Sequence, residues 1–364
     1  MTGNLNWIKG YQSRSEGPTP HTQRASYSLR DLALRSFLKP NAVRQLLHDA
    51  DLSDFSWHVV WGEDYATTDE ELEDRLSNVD GYVIFIHGWT GSNAIWENLP
   101  GMVINRNRNL VSLVVDHNGF GATPFVQSMP EMDSCNPVAA MTVVEHWFDL
   151  LQLRRQPGEP KPKTINFVGH SMGGAALFFL HEENWKFAEA TRTAIAPALL
   201  LHDELHRAFY TTLGLGIGLV GRIRALQIID NVVSPSVLEV LAEGATQHVK
   251  DEHARIYEIT PKGVTARTFA AMGAITQHPE PHQWDLFQVV LGHRDRLVGL
   301  VPMLDLLQDL NFDVNQVRVV MGTHYLFSVG NDMQRWHEQN RELVLKDILD
   351  LHGEALQRQK TGKA

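Results

Sequence analysis

The chain has 364 residues, 43% of them hydrophobic and 21% charged, enough apolar material for one large globular domain with an insertion or for two domains. Its formal net charge is -11 and its 32 basic residues are scattered, so it lacks the cationic footprint of a protein that grips a phosphate backbone, and nucleic acid is excluded as an expected partner. The one cysteine, Cys135, excludes an intramolecular disulfide framework.

The N-terminal stretch "MTGNLNWIKGYQSRSEGPTPHTQR" lacks the apolar core of a secretory signal, and no apolar run approaches the roughly 18 residues that span a bilayer. A cytoplasmic, soluble protein without a membrane span is therefore expected. Residues 1–54 read as an N-terminal arm and helical extension. The arm, 1 to about 27, is polar and rich in Ser, Thr, Pro and Gly. "SLRDLALRSFL" then sets Leu29, Leu32, Ala33 and Phe37 on one helical face, with Ser28 as N-cap and Pro40 as stop.

From "SWHVVWG" onward the chain alternates strand and helix patterns. "GYVIFIHG", "LVSLVVDH", "INFVGH", "DLFQVVLG" and "QVRVVMG" are short continuous apolar runs, as in strands covered on both faces, and "TRTAIAPALL" adds a sixth run. Helical patterns such as "NPVAAMTVVEHWFDLLQL", with Pro137 at a first helical position, lie between them. The expected fold is α/β: a mainly parallel twisted sheet covered by helices on both faces. Residues 55–197 and 275–355 form its core, 198–274 interrupt the alternation with helical, often apolar sequence, and 356–364 read as a disordered tail.

"INFVGHSMGGAALFFL" places Ser171 between glycines at a strand-to-helix junction, the context required of a G-x-S-x-G nucleophile elbow. The turn lifts the serine clear of the sheet, and the N–H of Met172 points to where negative charge develops on a reacting carbonyl. "FIHGWTGS" follows another buried strand and resembles the His-Gly-X oxyanion segment of hydrolases, with the Trp89 N–H as second donor. Asp295, in "VVLGHRDRLV", is the candidate acid; Asp203 competes from an earlier strand end but fits the spacing less well. Of eighteen histidines, His324 in "VRVVMGTHYLF" follows the last expected strand and completes the order Ser…Asp…His.

Together "HGWTGS", "DHNGFGATPF", "GHSMGG", "GHRDRLV" and "GTHYLF" resemble the α/β-hydrolase superfamily, serine-nucleophile branch, over residues 55 to 350. Asn118 stands where that family often carries arginine. The resemblance implies a helical cap at 198–274 and a Ser171, Asp295, His324 triad with Trp89 and Met172 as oxyanion donors. The substrate-facing lining is assigned to His87, Gly88, His170, Tyr325, and Leu213 and Leu215 of the run "LGLGIGLVG". The implied reaction is hydrolysis of a small-molecule carboxylic ester or lactone, apolar and medium-sized or cyclic, without cofactor. C–C bond hydrolysis, perhydrolysis and acyl transfer are alternatives for the same triad, and a receptor-like binding protein is the non-enzymatic one. "HDELH" has its glutamate in the wrong place for a zinc protease and "LGLGIGLVG" lacks dinucleotide-loop spacing, so neither a metal nor a nucleotide is expected. Oligomeric state stays open, a homodimer included.

Overall fold

The computed structural model describes residues 22–28, 56–63, 68, 71, 79–117, 119–123, 164–180, 190–199, 239, 241–260, 285–328 and 335–361. The expected helices near 28–38 and 137–153, and residues Asn118, Cys135, Asp203, Leu213 and Leu215, lie outside them or, for Ser28, at their margin. Eight strands form one sheet: β1 (Thr22–Ser28), β2 (Ser56–Gly62), β3 (Gly81–Ile86), β4 (Leu110–Val115), β5 (Thr164–His170), β6 (Ala190–Ile195), β7 (Phe287–Gly292) and β8 (Val317–Val320). Their order is β1-β2-β4-β3-β5-β6-β7-β8. The pairs β1–β2 and β2–β4 are antiparallel and all others parallel.

The continuous apolar runs have a direct cause in the layering. Alternate residues of each central strand enter two separate cores, Ile84 and Ile86 on one face and Val83 and Phe85 on the other. The first core is closed by α2 (Met172–Ala176), the 3-10 turn that follows it and α4 (Leu300–Asp309), through Ala175, Leu177, Met303 and Leu307. The second is closed by α1 (Leu99–Arg106) and the C-terminal helix α5 (Arg335–Thr361), through Leu99, Val103, Val344 and Ile348. A thirteen-residue helix, α3 (Gln247–Ile259), lies within the segment expected to form a cap; Thr246 caps it by accepting from the Val249 N–H. Among the described residues no helix is long and apolar enough to cross a membrane.

Three expectations are corrected. The end of the expected polar arm is strand β1, whose seven residues pair with β2 from Thr22↔Gly62 to Ser28↔Ser56; its polar composition is compatible with a sheet edge that packs Ala25 against the core. The run "QVRVVMG" is not covered on both faces: β8 ends the sheet among the described strands, and Val319 is 46% exposed. The tail expected to be disordered from 356 is helical through Thr361, where Arg358 pairs with Glu354 one turn back and with Asp285, and Ala355 is buried.

The chain leaves β3 for β4 on one side and then crosses to β5 on the other, so a crevice opens above the carboxyl ends of β3 and β5, the usual position of a ligand site in an open α/β sheet. Helix α5 also shapes that edge. The amide of buried Asn340 donates to the carbonyls of Met321 and Leu326, at 2.7 and 2.8 Å, and so brackets the turn after β8. Replacing it removes both bonds and takes this donor from the buried Leu326 carbonyl. Asn340→Leu is expected to lower the unfolding free energy by about 2 kcal/mol; urea denaturation checks this, and an unchanged midpoint contradicts the bracing role.

Candidate active site

Ser171 sits directly after β5 with φ 54° and ψ -118°, a left-handed conformation that non-glycine residues adopt only where surrounding structure enforces it. The enforcement is close packing. A Cβ on Gly173 would lie 2.1 Å from the Ile86 carbonyl oxygen, so α2 rests against the end of β3 with no room for a side chain. The elbow is pinned on its other side as well: the Ser171 N–H donates to the Ile195 carbonyl at 3.0 Å, and the Ser171 carbonyl accepts from Ala198 at 2.9 Å.

The turn after β3 is fastened to the turn after β4 by a reciprocal pair. The His117 N–H donates to His87 Nε2 at 2.9 Å, and His117 Nε2–H donates to the His87 carbonyl at 3.0 Å. His87 Nε2 is thereby an acceptor, so its proton is on Nδ1, which donates to the Gly88 carbonyl at 2.7 Å. Gly88 faces the serine: a Cβ there would lie 2.7 Å from Ser171 Cβ and 3.2 Å from its Oγ. Trp89 follows, 1% exposed, and Thr90 turns the chain with φ 52°. Below this turn Asp116 accepts from the Asn93 N–H at 2.6 Å, from Ala122 at 3.0 Å and from His58 at 3.2 Å. Burial alone raises the Asp116 pKa, but the His58 bond and neighbouring positive potential outweigh it and lower it to about 2.

Asp295 and His324 come from the turns after β7 and β8, held in register by the Arg294 N–H on the Gly322 carbonyl at 2.8 Å. Asp295 Oδ1 accepts from Leu297 and Val298, at 2.9 and 3.1 Å, while Oδ2 accepts from His324 Nδ1 at 2.8 Å. Both carboxylate oxygens are thus engaged, and Oδ2 fixes the proton of His324 on Nδ1. His324 Nε2, buried, has no hydrogen-bond partner among the described residues. His170 Nε2 donates to the His324 carbonyl at 3.0 Å, which couples the elbow to the histidine turn.

The structure therefore gathers Ser171, Gly88, Trp89, Met172, Asp295 and His324 at one sheet edge. His87, His170 and Tyr325, expected to face substrate, are each no more than 1% exposed. The triad residues are buried to a similar degree, Ser171 at 2% and His324 at 1%, and the His170 ring lies 4.8 Å from that of His324 and 4.5 Å from that of Tyr325. Sequence reasoning assigned no role to His117, although it lies within "DHNGFGATPF", or to the buried His253 of α3, which has no motif around it; among eighteen histidines, their hydrogen bonds to residues distant in sequence distinguish them. No cluster of three or more His, Cys, Asp or Glu that could hold a metal occurs among the described residues.

No protein-family model matches the chain, and no curated protein matches it at a significant level. Solved structures do. A candidate lipase (lip1) from Acinetobacter baumannii AYE superposes with a TM-score of 0.52 at 12% identity, over 96% of this chain and 98% of that one. A hydrolase from Oleispira antarctica, olei00960, gives 0.50 at 13% identity, over 75% of this chain and 91% of that one. The chain has the α/β-hydrolase fold. A membrane phospholipase A, a bacterial virulence factor, shares the α/β-hydrolase architecture with a TM-score of 0.50 at 15% identity, over 94% of this chain and 92% of that one.

Within this α/β-hydrolase framework four enclosed histidines are held neutral. Burial lowers the pKa of His87 and His253, the latter to about 3, and burial assisted by neighbouring imidazoles lowers His117 and His170 well below the usual value. Each binds fewer protons folded than unfolded below about pH 6.5, so stability falls as pH falls, with a slope per group approaching about 1.4 kcal/mol per pH unit. Urea midpoints are expected to be flat above neutrality and to drop steadily from pH 6.5 to 5. Equal midpoints at pH 7 and 5 contradict this.

Proposed function

We propose that the protein is a serine hydrolase that cleaves a small-molecule carboxylic ester or lactone through an acyl-enzyme on Ser171, with His324 as general base and Asp295 as its orienting acid. The observation that carries this reading is the hydrogen-bonding state of His324: Nδ1 committed to a carboxylate at 2.8 Å, Nε2 buried and unclaimed among the described residues. A histidine so arranged has one lone pair left on Nε2, and the hydrogen bond from His170 Nε2 to its carbonyl ties its turn to the strand end that precedes Ser171, which supports its reading as the base.

The steps follow from those groups. Ser171 Oγ attacks the carbonyl carbon as its proton passes to His324 Nε2, and the charge that develops on the carbonyl oxygen is met by the N–H groups of Trp89 and Met172. Asp295 stabilises the imidazolium without taking its proton. Collapse breaks the bond to the alcohol oxygen, which leaves with the proton from Nε2. Water then gives a proton to the same nitrogen, attacks the acyl carbon and releases the acid, with the proton returned to Ser171. Such hydrogen bonds tighten when substrate is bound, so an unclaimed Nε2 in the free protein agrees with the role.

The names of the structural neighbours, a hydrolase, a candidate lipase and a phospholipase, accord with an ester substrate. In this reading segment 198–274 is the cap and its apolar sequence, Leu213 and Leu215 included, contributes to substrate binding, where burial of an acyl chain or ring is worth about 0.8 kcal/mol per methylene. On p-nitrophenyl esters, kcat/KM is expected to rise from acetate to medium chains; a monotonic fall from acetate contradicts the apolar lining. In the same assay Asp295→Asn is expected to lower kcat by about 10⁴ and Ser171→Ala by at least as much. Retention of near wild-type rates by either variant overturns the triad.

A further inference from the structure

Helix α3 and the residues before it touch the site at more places than a simple roof requires. The Glu243 carbonyl accepts from Thr323 Oγ at 2.6 Å and from the Tyr325 N–H at 3.3 Å, so it grips the chain on both sides of His324. Gly244, φ 84°, passes so close that a Cβ would lie 2.1 Å from Thr323 Oγ1. Further along, Ser92 Oγ donates to Glu252 Oε1 at 2.7 Å, and the Thr260 hydroxyl donates to the Gly119 carbonyl at 2.9 Å. One short stretch thus reaches the turns after β3, β4 and β8.

At its centre is His253, 1% exposed. Its Nε2 is hydrogen-bonded to the Tyr325 hydroxyl and its Nδ1 lies 3.0 Å from Thr90 Oγ1. The Thr90 hydroxyl proton is spent on the Trp89 carbonyl at 2.8 Å. Thr90 Oγ1 must then accept from His253 Nδ1–H, which leaves Nε2 as the acceptor of the tyrosine proton. The directions form a single chain: Tyr325 to His253, His253 to Thr90, Thr90 to Trp89. It needs a neutral imidazole and a protonated phenol. Burial, with His87 nearby, lowers the His253 pKa to about 3, and burial, with Glu97, raises that of Tyr325 well above its usual value.

We propose that His253 is a positioning residue of the hydrolytic centre, joining the tyrosine beside the base His324 to the turn that carries the Trp89 oxyanion donor, so that base and donor keep one fixed spacing about the serine. The proposal rests on the reading of Ser171, His324 and Trp89 given above. His253 touches none of the reacting atoms, so its effect is on alignment, and a misplacement on the order of 1 Å costs about 100-fold in rate.

The test compares wild type, His253→Phe, His253→Gln, Tyr325→Phe and the double variant His253→Phe/Tyr325→Phe on p-nitrophenyl butyrate, with circular dichroism to select folded proteins and Ser171→Ala as the control for the parent reading. His253→Phe keeps an aromatic ring, a slightly larger one, and removes both nitrogens; kcat is expected to fall roughly 10- to 100-fold with KM within about threefold. Gln restores a donor and an acceptor, and is expected to regain at least about fivefold over Phe. Tyr325→Phe is expected to match His253→Phe, with the double variant no worse than either, because both cut the same chain. A folded His253→Phe or Tyr325→Phe within about twofold of wild-type kcat overturns the positioning role while leaving the triad intact. Should His253→Phe not fold, Tyr325→Phe and His253→Gln decide by the same criteria. An inactive wild type, or an active Ser171→Ala, overturns the parent reading and this proposal with it.

Discussion

The contact between α2 and the end of β3 governs the rest of the site. Position 173 has no space for a β-carbon because the Ile86 carbonyl oxygen occupies it. With helix and strand that close, the residue between β5 and α2 has to turn left-handed, and Ser171 does so at a cost of order 1–3 kcal/mol that the packed sheet on both sides sustains. The same approach brings Gly88 over the serine. One steric constraint thereby places Ser171 and the turn carrying Gly88 and Trp89 on a common edge, the arrangement on which the proposed reaction rests.

Around that constraint the polar groups are arranged by directionality. His87 accepts a hydrogen bond from the His117 backbone N–H and His324 donates one to Asp295, so both imidazoles are locked in one tautomer by partners that donate only or accept only. For His87, burial maintains this state: were it to gain a second proton, it would lose its accepting bond and carry an unsolvated charge. The cost appears in acid, where the unfolded chain takes up protons that the folded one refuses. The same burial that keeps these four imidazoles neutral makes the stability of the fold pH-dependent.

Much of this was legible in the sequence because it is local. A serine between glycines at a strand-to-helix junction, an acid and a histidine just past two apolar runs, and continuous apolar strands all carry their structural meaning within about ten residues. What failed depends on distant pairing. β1 reads as a polar arm because only its backbone match to β2 makes it a strand. The last turns of α5 read as a tail because their support includes Asp285, far away in the chain. β8 has the composition of a covered strand and the place of an edge. His253 is the clearest case: nothing within ten residues distinguishes it from seventeen other histidines, and its importance lies in two hydroxyls, on Thr90 and Tyr325, that folding brings to either side of its ring.

The central claim is that Ser171 is an activated nucleophile. Intact-mass analysis after incubation with a fluorophosphonate, followed by peptide mapping, addresses it without knowledge of the natural substrate. The account predicts a single adduct, on the peptide containing Ser171 and absent from Ser171→Ala. An unmodified wild-type protein, or an adduct on another residue, contradicts it.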